Sequence, residues 1–125
     1  MWEALLGVYL VNAVLLIVHE IDSAYWKEWR LFGLGGGIDC FLLVHLPLMG
    51  IVVYGLALVA RASYDGLFYS LLMSLAGIAA FVLHDGFRRR GHKEFDTTIS
   101  QLILIGTLVA SALQGLFTLI LLFSA

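Results

Sequence analysis

Each of the four histidines in this chain has an acid close by in sequence: His19-Glu20-Ile21-Asp22, Asp39 ahead of His45, His84-Asp85, and His92-Lys93-Glu94-Phe95-Asp96. Imidazole and carboxylate are the side chains from which metal centres and proton relays are assembled. The surrounding chain is 62% hydrophobic and only 13% charged, against about 25% charged in soluble domains. An ionisable group at membrane depth costs on the order of 3 kcal/mol unless it is paired, solvated or liganded, so it points to function. Four helix ends delivering imidazole and carboxylate to one layer would make such a site.

The elements that must position these groups follow from hydropathy. A bilayer core takes about 20 apolar residues as helix, and four stretches qualify, 2–18, 40–60, 66–83 and 99–123. The expected fold is an all-α, integral membrane four-helix bundle forming a single domain over residues 1–125. Residues 21–32 interleave Tyr25, Trp26, Trp29 and Phe32 with Lys27, Glu28 and Arg30. That mixture suits the headgroup layer, so an interfacial helical extension is expected after the first span. Gly33-Leu34-Gly35-Gly36-Gly37 then turns the chain back. No strand precedes these glycines and no lysine completes a phosphate-binding pattern, so a flexible turn is the reading.

Orientation comes from the basic residues. Lys27 and Arg30 fall between the first two spans, and Arg88, Arg89, Arg90 and Lys93 between the last two, against Arg61 alone on the other side. This bias places both connections in the cytoplasm and both termini outside. His19, His84 and His92 then lie at the cytoplasmic edge. His45 lies roughly 9 Å inside it, at 1.5 Å per helical residue. A net charge of −2 gives no reason to expect nucleic acid binding. The lone Cys40 has no internal disulfide partner and reads as a small helix residue. Met1-Trp2-Glu3 lacks the positive region of a removable signal peptide.

Helical periodicity then separates faces. Asn12, His19, Asp22, Ser23 and Trp26 share one side of the first helix, with Glu20 about 100° away. Ser70, Met73, Gly77 and Ala80 share a small-residue face with His84, which aims that histidine into the bundle. Ser100, Thr107, Ser111, Gln114 and Thr118 form a polar stripe on the fourth span, serving either as packing contacts or as a water or substrate path. Pro47 frees the carbonyl of Leu43 beside His45, a site-making break or an ordinary kink. His92 follows Arg88-Arg89-Arg90-Gly91 and reads as a solvated loop residue near anionic headgroups.

The segment Val18-His19-Glu20-Ile21-Asp22-Ser23-Ala24-Tyr25-Trp26-Lys27-Glu28-Trp29 resembles the first-helix signature of small uncharacterised bacterial four-helix membrane proteins. It is partly similar to the HXXEE-motif membrane proteins, in which a histidine is followed three and four residues on by acids. Asp22 takes the first acid position and Ser23 replaces the second. The resemblance implies a prokaryotic four-span protein of the bacterial plasma membrane, with His19 and Asp22 as marked positions, and it brings no activity with it.

The residues themselves support three readings. In the first, His19, Asp22, His45 and His84 hold a divalent metal, zinc or iron, and Glu20 and Asp85 act as bases in an enzyme working on a lipid or other apolar small molecule. In the second, the chain is a small homo-oligomeric, proton-coupled carrier or channel. Four helices enclose little space, so a pore needs several copies. In the third, it is a scaffold or subunit whose polar groups only join helices. The first ranks highest, because acids near one edge outnumber what helix packing requires.

Overall fold

The computed structural model describes residues 1–125 and is all-helical. It comprises α1 (Trp2–Tyr25), a one-turn α2 (Glu28–Leu31), α3 (Gly37–Ala60), α4 (Tyr64–Arg89) and α5 (Thr98–Phe123). All but α2 are long and apolar enough to cross a membrane. α1 and α4 run well past the ends set by hydropathy, to Tyr25 and Arg89. A helix does not stop where its apolar stretch stops, because its backbone hydrogen bonds are still satisfied in the interface.

The long helices alternate in direction and pack as a ring in the order α1, α3, α4, α5, with α1 and α4 facing across the diagonal. One end of the bundle therefore collects the end of α1, all of α2, the start of α3, the end of α4 and the start of α5. The sequence turns the chain there as anticipated. Gly36 has φ +90°, a conformation costly for any residue with a Cβ, and it opens α3.

The core inverts the pattern of a soluble protein. Eleven buried residues are hydrophobic and eleven are polar or charged, while Leu43, Leu46, Ile21 and Phe68 are more than half exposed on the outside. In lipid no hydrophobic force draws helices together, so close backbone approach and hydrogen bonds do that work. Asn12 Nδ2 donates to Ser111 Oγ at 3.0 Å and to Gln114 Oε1 at 2.9 Å. Gln114 Nε2 in turn donates to Ser70 O at 3.0 Å and Ser70 Oγ at 3.1 Å, and Ser70 pairs with Thr118 at 2.8 Å. Gly77 permits this approach of α4 to α5, since a Cβ there would meet the side chains of Ser111 and Thr107. The polar stripe of α5 is thus buried, with Ser111, Gln114 and Thr118 tied to α1 and α4, while Ser100 bonds only Thr97 and Thr107 Oγ1 has no partner.

α3 is the exception. Its only buried residues, Gly55 and Val59, lie near its C-terminal end. There Tyr9 Oη donates to Val52 O at 2.8 Å. Towards its N-terminal half α3 is held less tightly, and that half faces the cluster of ionisable groups.

Candidate metal centre

Three side chains converge at the end of the bundle. His19 of α1, Glu28 of α2 and His84 of α4 each offer a ligand atom, and these atoms lie within 4.8 Å of one another. His84 Nε2 is 2.9 Å from Glu28 Oε1. The His19 and His84 rings meet edge to face with centroids 4.7 Å apart. Both histidines are buried, at 1% and 5% exposure. Diagonally opposed helices therefore bring two imidazoles together, and the segment after α1 supplies the carboxylate.

The local chain geometry explains how Glu28 arrives. Glu28 is nine residues beyond His19, which on a continuous helix is about 180° round, the wrong face. Instead α1 ends at Tyr25 and Lys27 takes the left-handed conformation at φ 54°. This reversal folds α2 back under the bundle end. Hydropathy and periodicity both missed Glu28, because its position depends on one backbone conformation that neither measures. Phe95 was missed too. It lies in the α4–α5 connection with φ 65° and is 2% exposed. Its ring covers both histidines, with centroids 4.2 Å from His84 and 5.6 Å from His19. The signal available in sequence was a lone aromatic among Lys93, Glu94 and Asp96.

The electrostatics suit a cation. Burial pushes the Glu28 carboxyl up, but the hydrogen bond from His84 and the charges of His84 and His19 outweigh it, leaving its pKa below the ordinary value. Glu28 is therefore ionised at neutral pH and available as a ligand. His19 Nδ1, His84 Nδ1, Asp22 Oδ2 and Trp26 Nε1 are all buried without a hydrogen-bond partner. Unpaired buried polar groups are uncommon, since most such groups are hydrogen-bonded, and two of these four belong to the histidines of the group of three. Three ligands about 2 Å from one ion stand roughly 3–3.5 Å apart, so binding asks only for rotamer-scale shifts.

The other expected site residues fall in different places. Asp22 is on α1 one turn beyond His19, outside the group of three, with its buried oxygen unpaired. His45 is also outside that group and pairs instead with Glu20, Nε2 to Oε2 at 2.5 Å. Its Nδ1 is 2.7 Å from Phe41 O, and a carbonyl only accepts, so Nδ1 carries a proton. One further proton is then shared between His45 Nε2 and Glu20. Asp85 is engaged by Arg89 Nε at 2.8 Å and Arg88 at 3.4 Å and contributes nothing to the cluster. His92 is about half exposed in the α4–α5 connection, 3.7 Å from Glu94.

The two ionisable groups share a cavity of about 280 Å³, lined by Glu20, His45 and Glu28 together with Trp29, Phe32 and Phe41. A carboxylate of the metal candidate and a His–Glu proton pair thus face the same space. The buried Asn12–Gln114–Ser70 network lines neither this cavity nor the adjoining groove. No curated protein and no solved structure matches the chain. A family model does, over residues 5–121, and the chain belongs to that family of unknown function, DUF6713.

Proposed function

We propose that the protein is a membrane-embedded metal protein, an enzyme acting on an apolar substrate through a centre held by His19, Glu28 and His84. The observation that carries this reading is the convergence of those three side chains, two of them buried histidines each with an unpaired ring nitrogen. Two imidazoles and one carboxylate with a position left open suit catalytic zinc, and they equally suit iron(II) in a two-histidine, one-carboxylate arrangement. A divalent ion there would supply Lewis acidity or activate a small molecule. The Glu20–His45 pair, holding one mobile proton beside the same cavity, would serve as acid–base partner. In this reading the membrane is the bacterial plasma membrane, the site lies at its cytoplasmic face and both termini are outside.

Metal analysis of the purified, detergent-solubilised protein tests it. The expected result is close to one zinc or iron per chain, removed by chelator and restored by the matching ion. Rebinding should raise the thermal midpoint, because an ion at 100 times its Kd stabilises the folded state by about 2.7 kcal/mol. If no metal copurifies and neither ion binds or stabilises, the proposal fails.

A further inference from the structure

Beside the metal candidate runs a groove of about 350 Å³ between α1, α3 and α4. Ten of its eleven lining residues are hydrophobic, and the eleventh is Glu20. It lies where α3 buries no residue, between the contacts at Gly55 and Val59 and the His45–Glu20 bond nearer its start. Tyr9 closes its deep end by donating to Val52 O. Glu20 and Leu48 line both this groove and the cavity holding His45 and Glu28, so the two spaces join at the His–Glu pair.

Along α1 the groove extends from Glu20 to Tyr9, roughly 16 Å at 1.5 Å per residue. That is about half the ~30 Å hydrocarbon thickness, the depth of one leaflet. A chain drawn from the leaflet on the site's side would enter with its polar end at Glu20–His45. The charge balance selects the head. Glu20 and His45 share one proton in a neutral-sum pair, and Glu28 is matched by His84. A carboxylate or an ammonium would give up its hydration in an apolar groove and find no free counter-charge. A hydroxyl or carbonyl oxygen finds a donor and an acceptor.

We propose that this groove binds the chain of a neutral, oxygen-headed single-chain lipid, such as a long-chain alcohol or ester, with its head at the Glu20–His45 pair. This names the substrate class of the proposed metal centre and rests on that reading for any reaction, though binding itself needs no metal.

The test is photolabelling of the full chain in lipid nanodiscs with a diazirine-bearing tetradecanol, followed by peptide mapping. Labelling should concentrate on groove residues such as Leu72 and Ile51. Unlabelled tetradecanol should compete at least ~10-fold better than tetradecanoate or tetradecylamine. Ala76→Trp, which fills the groove from an exposed position, should cut labelling about fivefold while metal content stays unchanged, and Leu72→Trp provides the same readout independently. Glu20→Gln should erode the preference between head groups. Label spread evenly over lipid-facing positions such as Leu43 and Phe68, or equal competition by all three heads, overturns the proposal. Groove labelling in a protein that binds no metal supports the groove and overturns the metal centre alone.

Discussion

Glu28 shows how a single backbone angle can decide a site. His19 and His84 were legible from sequence because each ends an apolar stretch on the same side of the membrane and lies on a face of small or polar residues. Glu28 was not, because the left-handed Lys27 breaks the helical phase that connects it to His19. Asp22 was preferred in its place since periodicity keeps it close to His19 in angle. The structure instead gives Asp22 a buried oxygen without a partner beside the ligand group. Replacing Glu28 by Gln removes the only carboxylate among the three candidate ligands. It should weaken metal affinity by more than the roughly 10–100-fold that follows loss of a group supporting a ligand. Asp22→Asn removes neither one of these ligands nor a hydrogen bond to one, so it should cost less than about tenfold. Metal titration of both variants after chelation checks the order. Equal affinity in the wild type and Glu28→Gln would remove Glu28 from the centre.

At the scale of elements, the polar stripe of α5 could be seen in sequence but not assigned, because periodicity tells which face a residue is on and not what meets it. In the folded protein Gln114 bridges α1 and α4, giving two donor contacts to Ser70 and accepting from Asn12. The stripe therefore acts as interhelical contact. Gln114→Leu would leave Asn12 and Ser70 short of partners, at a cost of about 1–2 kcal/mol on the scale seen for hydrogen bonds between membrane helices. Metal stoichiometry should stay unchanged. Reversible unfolding in mixed micelles reads the first quantity and metal analysis the second. Loss of metal with full stability would mean instead that Gln114 serves the site. Gly77→Val acts on the same contact sterically. A side chain there collides with Ser111 and Thr107, so α4 and α5 must separate. The expected loss is about 1–3 kcal/mol, as for overpacking elsewhere. Gly7, which has nothing within 4 Å of a built Cβ, is the matched control for the same substitution.

For the whole molecule, everything proposed for the site depends on which connections share a side of the membrane. The alternation of the four long helices puts the α1–α3 and α4–α5 connections at one end, and that end, with the last turn of α4, holds six of the seven basic residues. In the proposed orientation, with that end in the cytoplasm as its basic residues favour, the ion, the lipid head and any soluble co-reactant would meet the protein from the cytoplasm. Helix order and the clustering of histidines at one end were both readable in sequence, since each follows from counting spans. The ring order of the helices was not, because hydropathy is blind to which neighbours touch, and it is this order that sets His19 opposite His84. Orientation makes a prediction separable from all chemistry. In a bacterial host, alkaline phosphatase fused after Ala125 should be active, and green fluorescent protein at the same point should be dark. Exchanging Arg88, Arg89 and Arg90 for Gln while adding three lysines beside Arg61 reverses the bias, and should invert part of the population. A bright fluorescent fusion on the unmodified chain would place the His19–Glu28–His84 centre on the outer face, where ions and apolar substrates come from another compartment.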